Sequence, residues 1–203
     1  MMGLERPGTA DPALMLAFLR DKTSGRKLRL FACACCRLVW RFVSQESGRL
    51  QLEAVERGID GRTTVPIRRK GPTPTPHEGA SPAVYAEVAC IFAGCTDPFA
   101  AALVASAMSE RADPEAAGRS AQAAVLADLF GRPTRLLDRR WRSPEVLALA
   151  QSIYDHRRFQ DLPRLAGLLE AAGCPPHNLL DHCRSDGPHV LGCWALDVLL
   201  GKS

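Results

Sequence analysis

Apolar residues recur along this chain at helical spacing, in short stretches that begin directly after a proline. In the clearest stretch they follow Ser143-Pro144 at positions i, i+3, i+4 and i+7, which form one face of a helix. These residues are Val146, Leu149, Ala150 and Ile153. Proline at the first helical position gives up an N–H that has no partner within the helix, and a preceding Ser or Asp can cap the first turn. Six pairs of this kind, one of them led by glycine, predict helix starts: Asp11-Pro12, Ser81-Pro82, Asp97-Pro98, Asp113-Pro114, Ser143-Pro144 and Gly187-Pro188.

These patterns predict an all-α protein, either an irregular multi-helix bundle or a short stack of helical hairpins, with about seven to nine helices. No repeated sequence period supports a solenoid. Helices are expected at 12–20, 25–43, 46–61, 114–130, 144–156, 162–172, 178–183 and 188–200, with two more that begin at Pro82 and Pro98. The longest interruption, 61–79, contains four prolines and a basic triplet and predicts an irregular exposed loop. We expect residues 1–203 to form a single domain that carries this loop.

Composition and charge narrow the class of partner. The chain has 203 residues, of which 46% are hydrophobic and 24% charged, and its net charge is +4. This charge permits an acidic partner without requiring one, and only the Arg132–Arg142 connector with Trp141 resembles a phosphate-binding segment. We therefore expect protein partners rather than nucleic acid. No apolar run is long enough to span a bilayer, and residues 1–7 lack a signal-peptide core, so the sequence predicts a cytoplasmic protein without a membrane contact.

Motifs of common enzyme classes do not occur in the chain. It contains no G-x-S-x-G, G-x-G-x-x-G, Walker-type or H-E-x-x-H sequence. The leading interpretation is a non-enzymatic helical module that binds or scaffolds other proteins. The alternative is a metal-binding protein with structural zinc, or a thiol-based protein, because the chain has eight cysteines and a cytoplasm keeps thiols reduced.

The densest group of candidate ligands lies near the C-terminus. Six cysteine and histidine residues fall within a short segment: Cys174, His177, His182, Cys183, His189 and Cys193. Zinc prefers such ligands in a tetrahedron, but this segment contains no C-x-x-C pair, and Pro175 and Pro176 stiffen the chain after Cys174. We expect these six side chains not to close a tetrahedral site, and therefore no cofactor, with zinc as the alternative.

The predicted last helix, 188–200, is apolar on nearly all sides. Its exceptions are His189, Cys193 and Asp197, which are spaced four residues apart and would therefore line one helix face. Buried polar groups need partners. We expect His189 and Asp197 to hydrogen-bond to neighbouring protein groups or to water, and Trp194 to lie in the core.

Cys33 is the candidate for a reactive thiol. Arg29 and Arg37 lie four residues before and after it, and Trp40 falls on the same side of the helix. Neighbouring guanidinium groups favour the thiolate and lower the pKa of a thiol. The alternative is that the two arginines form the solvated edge of the helix, with Cys33 partly covered by Trp40.

Three segments carry a resemblance to a known group of proteins. Residues 27–37 read K-L-R-L-F-A-C-A-C-C-R, residues 121–133 fit A-Q-A-x-x-L-x-D-x-F-G-x-P, and residues 182–202 fit H-C-R-x-x-G-P-H-V-x-G-C-W-x-x-D-x-L-L-G-K. With Leu149–Cys174, these segments resemble a paralogous family of uncharacterised planctomycete proteins. The chain departs from that pattern at 132–135, which reads R-P-T-R in place of N-P-F-R. The resemblance implies small stand-alone proteins or segments beside interaction modules, and assigns no catalytic residue.

Overall fold

The described part of the protein is helical. The computed structural model describes residues 11–61, 76–77, 79–133, 137–175 and 177–202, so most of the predicted loop at 61–79 lies outside it. Within these ranges there are ten α-helices and no strand, which confirms the all-α prediction. The helices are α1 (Pro12–Leu19), α2 (Gly25–Leu38), α3 (Glu46–Ile59), α4 (Pro82–Ala93), α5 (Pro98–Ala112), α6 (Arg119–Phe130), α7 (Pro144–His156), α8 (Leu162–Ala171), α9 (Asn178–Cys183) and α10 (Trp194–Leu200). None of these helices has the length and apolar character needed to cross a membrane.

Four of the six proline pairs begin helices as predicted, namely those of α1, α4, α5 and α7. The side chains of Asp11, Asp97 and Ser143 accept hydrogen bonds from backbone N–H groups of the first turn. Ser81, before α4, has the extended backbone of an N-cap but no capping hydrogen bond from its side chain. Proline paired with a Ser or Asp therefore marks a helix start at four of the five places where such a pair occurs.

The other two proline pairs do not begin helices. After Asp113-Pro114 the chain forms turns, and α6 begins only at Arg119. A side chain at Gly118 would overlap the carbonyl oxygen of Pro114, so this tight turn needs glycine. After Gly187-Pro188 the chain is again non-helical, because Gly192 has φ +89°, and the last helix begins at Trp194.

The described chain divides into two compact units, one that ends at Leu126 and one that begins at Ala127, so the boundary falls inside α6. In the first unit α2 packs against α4 and α5, and α3 lies against α2 and α4. The centre of α2, from Leu30 to Cys36, is buried. The prediction of one domain stays a prediction.

The second unit is built on contacts of α7 with α8 and α10, and of α9 with α8 and α10. Its core combines leucines of α8 with Ile153 of α7 and the apolar side of α10. Trp194 is 5% exposed, which confirms its predicted core position. A methyl group at Gly131 would overlap the Trp194 indole, so the glycine after α6 makes room for this ring.

Candidate metal centre

Four potential metal ligands converge inside the second unit. Asp128 lies near the end of α6, and His182 in the last turn of α9. His189 lies in the following loop, and Cys193 is the N-cap residue of α10. Their ligand atoms (one carboxylate oxygen, two imidazole nitrogens and one thiol sulfur) all lie within 4.8 Å of one another. Three separate segments of the chain therefore bring their ligands to one point.

The contacts between these atoms are short. His182 Nε2 lies 3.1 Å from Cys193 Sγ and 3.1 Å from Asp128 Oδ1. His189 Nδ1 lies 2.9 Å from the same carboxylate oxygen. A nucleophile–histidine–acid relay uses opposite ring nitrogens of the histidine for its two partners. Here a single nitrogen of His182 faces both Cys193 and Asp128, so the four atoms surround a common centre rather than form a relay.

Two of the ligand groups, Asp128 and His189, are held by outer hydrogen bonds, and a second atom of each faces the other ligands. The backbone N–H of Val190 donates to Asp128 Oδ2 at 2.9 Å, so Oδ1 is the oxygen that faces the cluster. His189 Nε2 lies 3.2 Å from the carbonyl oxygen of Ser185, to which its N–H can donate. A histidine that binds metal through one nitrogen usually donates its other ring N–H to such a carbonyl or carboxylate.

Aromatic packing fixes the orientation of His182. Its ring centroid lies 4.8 Å from that of Trp194 and 4.9 Å from that of His189, to which the ring is nearly perpendicular. Trp194 is in turn held over Gly131. The imidazole of His182 is therefore wedged between two rings and directs Nε2 at the centre.

The charges of Asp128 and His189 stabilise each other. Burial alone would raise the pKa of Asp128, but hydrogen bonds from His182, His189 and Val190 outweigh it, and the pKa is lowered. Burial alone would lower the pKa of His189, but the hydrogen bond and charge of Asp128 raise it instead. Since Asp128 is 3% exposed, a carboxylate in this position requires such positive partners.

The surroundings of Cys193 favour its neutral form, whereas those of Asp128 and His189 favour their charged forms. Burial raises the pKa of its thiol well above the ordinary value, and the negative charge of Asp128 raises it further. Backbone N–H groups of Ala195 and Leu196 lower the pKa without overcoming these effects. The sulfur is therefore a protonated thiol until a cation enters the cluster.

Three of the six predicted C-terminal candidates belong to the cluster: His182, His189 and Cys193. The other three do not. His177 is the N-cap of α9, and its Nδ1 accepts the N–H of Leu179 at 3.0 Å. Cys174 and Cys183 are buried free thiols, and burial raises the pKa of Cys183 to about 12.

The predicted polar stripe on the last helix is wrong in its geometry. His189 lies in the loop before α10 and Cys193 at its N-cap, because the helix begins six residues later than expected, after the turn at Gly192. Only Asp197 lies within the helix, where it is buried and engaged in polar interactions. His189 does hydrogen-bond to protein groups, as expected.

The structure does not favour a reactive thiol at Cys33, which is 2% exposed. Arg29 donates to the backbone carbonyls of Ala93, the last residue of α4, and of Cys95 in the following turn. Arg37 forms a two-pronged ion pair with Glu56 and stacks on Trp40, with its guanidinium carbon 4.1 Å from the ring centroid. A reactive cysteine needs both access and a positive neighbour. Cys33 lacks the first.

Asp128 is the site residue that the sequence reasoning missed. It lies 61 residues before His189, and nothing in the local pattern of α6 marks it as a ligand. One signal was present. Asp128 is the acidic position of the segment 121–133, one of the three segments that carry the family resemblance. Pairing that segment with the histidine- and cysteine-containing segment at 182–202 would have suggested a shared site.

Comparison with known proteins found no matching family model, no similar curated protein and no similar solved structure. A function for this chain is therefore argued from the geometry of its own residues.

Proposed function

We propose that the second unit binds one zinc ion through Asp128, His182, His189 and Cys193, and that this ion has a structural role. The observation that carries the proposal is the convergence of four ligand atoms of three different chemical types within 4.8 Å. Protein zinc sites are built from cysteine sulfur, histidine nitrogen and carboxylate oxygen in a tetrahedron. This is the alternative function from the sequence, completed by a ligand from α6.

The spacing of the ligand atoms fits a small tetrahedral ion. Typical bond lengths to zinc imply edges of about 3.3 Å between nitrogen or oxygen ligands and about 3.6 Å between nitrogen and sulfur. The contacts from His182 to Cys193 and Asp128 are 3.1 Å, and that from His189 to Asp128 is 2.9 Å. These three contacts would have to lengthen by a few tenths of an ångström to admit the ion, an adjustment that side-chain rotation can supply. The other three pairs of ligand atoms lie within 4.8 Å.

Charge and ligand softness also favour zinc. A thiolate and a carboxylate together balance a divalent cation, so the loaded site would be neutral in its buried setting. One sulfur and two imidazoles are poor ligands for calcium or magnesium, which take oxygen ligands. The donor set thus selects a zinc-like transition metal.

The number of protein ligands favours a structural rather than a catalytic ion. Catalytic zinc keeps one coordination position for water or substrate, whereas structural zinc is closed by four protein ligands. Here four ligands are available, and two of them, Asp128 and Cys193, are fully buried. The ion would join α6 to the α9–α10 segment. A helical module of this kind is compatible with the predicted role in protein interaction, which stays a prediction.

Elemental analysis and cobalt substitution test the proposal directly. Protein purified without added metal or chelator is expected to contain one equivalent of zinc. Replacement by Co(II) should give a thiolate-to-cobalt charge-transfer band and the visible absorption of tetrahedral cobalt. Cys193→Ser and Asp128→Asn should abolish the stoichiometric metal, and Cys193→Ser the charge-transfer band.

Cys95→Ser is the matched control, because Cys95 is a half-buried free thiol in the first unit. This substitution should leave the metal content unchanged. A protein that holds no metal as purified and shows no cobalt absorption after reconstitution has a hydrogen-bonded cluster only, and the proposal is then wrong.

The metal affinity is expected to fall in acid, because protons compete for the ligands. Because the pKa of Cys193 is raised, metal binding displaces one proton from the sulfur throughout the neutral range. Below the raised pKa of His189 a second proton must leave Nδ1. The apparent affinity should therefore drop about tenfold per pH unit above the raised pKa of His189 and about a hundredfold per unit below it. Competition titrations with a chromophoric chelator at several pH values measure this slope, and a pH-independent affinity would contradict it.

A further inference from the structure

A second candidate site lies in the first unit, between the start of α3 and one face of α4. It is a half-open cavity of about 440 Å³. Val84, Val88 and Ile91 form an apolar wall on α4, and Ser44 and Ser47 contribute hydroxyl groups near the start of α3. Its volume is in the range of small-molecule sites, which combine apolar walls with a few polar groups. Glu87 is the charged side chain among the residues that line it.

Glu87 is a buried side chain that lines this cavity. The side chain is 9% exposed, and Oε1 accepts the backbone N–H of Gln45 at 2.8 Å. Oε2 has no hydrogen-bond donor among the residues that the structure describes. It lies so close over Gly48 that a methyl group there would overlap it. The glycine therefore lets the carboxylate occupy this position.

Comparison with three other buried carboxylates shows what Glu87 lacks. Glu56 is paired with Arg37, Asp113 with Arg41, and Asp128 with two histidines. A buried carboxylate is costly unless a positive group or several hydrogen bonds compensate it. In the described ranges no cationic side chain pairs with Glu87, and the N-terminus of α3 supplies only a partial positive charge. The position where a cation would complete the arrangement lies in the cavity.

We propose that this cavity binds an organic cation that carries an N–H donor on an apolar body, such as a primary ammonium compound. The ammonium group donates to Glu87 Oε2, and the apolar body lies against Val84, Val88 and Ile91. The proposal is independent of the zinc site, because all of its residues belong to the first unit.

Calorimetric or NMR titration with 2-phenylethylammonium tests the proposal. Three probes of the same shape separate charge from hydrogen bonding: neutral 2-phenylethanol, anionic 3-phenylpropionate, and the trimethylated ammonium, which keeps its charge but has no N–H. Saturable binding of the primary ammonium, at least tenfold tighter than binding of each of the other three, is the expected result. Absence of saturable binding, or equal binding of the neutral or anionic probe, would overturn it.

Two variants locate the binding. Glu87→Gln keeps an acceptor for the N–H of Gln45 but removes the charge, and should weaken binding at least tenfold. Val84→Trp fills the mouth of the cavity from a position that is 39% exposed, so it should block binding in a folded protein. Glu53→Gln is the matched control, because Glu53 pairs with Arg57 on the surface of α3. Wild-type affinity in both Glu87→Gln and Val84→Trp would place the ligand elsewhere and refute the proposal.

Discussion

Removal of zinc by a chelator is expected to lower the free energy of unfolding of the second unit by several kcal/mol. A ligand that binds only the folded state contributes about 4 kcal/mol when its free concentration is about 1,000 times its Kd. Without the ion, Asp128 keeps its histidine partners, but the cysteine sulfur returns to a neutral thiol that adds little. Urea unfolding of the loaded and stripped protein, followed by tryptophan fluorescence, measures the difference. Two of the three tryptophans, Trp141 and Trp194, belong to the second unit.

The Cys193→Ser variant isolates the contribution of the metal ion to the free energy of unfolding. Its stability should resemble that of the stripped wild type and should not respond to added zinc. Cys95→Ser should respond as the wild type does. If the loaded and stripped wild-type proteins unfold at the same urea concentration, the ion has no structural role.

Trp194→Ala is expected to cost about 3–5 kcal/mol of stability, the range for truncation of a large core aromatic. The indole is buried between Gly131 and His182, and its loss leaves a cavity on both sides of α10. Because the ring also orients His182, the variant should bind metal more weakly than the wild type. Denaturant unfolding and a metal titration check the two effects.

Trp40→Ala provides the comparison for this substitution. Trp40 is only half-buried and stacks on Arg37 in a short 3₁₀ segment, so its truncation should cost clearly less. A loss below about 1 kcal/mol for Trp194→Ala is typical of surface positions and would contradict the core role of α10.

Helix positions followed from the sequence wherever the deciding interactions are local. The approximate bounds predicted for α7 and for the short helix α9 agree with the structure, and the side chains of Ser143 and His177 cap the two helix starts. Prediction failed after Pro114 and Pro188. At both places a glycine a few residues later, Gly118 or Gly192, permits a turn that a proline signal cannot reveal.

The candidate site shows the same division between local and distant information. His182, His189 and Cys193 lie within one short segment, and their residue types alone marked them as possible ligands. The choice among six candidates depended on the path of the loop after α9, which brings His189 and Cys193 next to His182. Cys174 and Cys183 are not part of the cluster. Asp128 depends on the packing of α6 against this loop, and no pattern in a single segment specifies such a contact.

The separation of Asp128 from His189 in sequence, 61 residues, has a topological consequence. A bound ion would act as a crosslink that closes the intervening chain into a loop. The same closure predicts that a single proteolytic cut between α7 and α8 leaves two fragments that co-migrate under native conditions and separate when the metal is chelated.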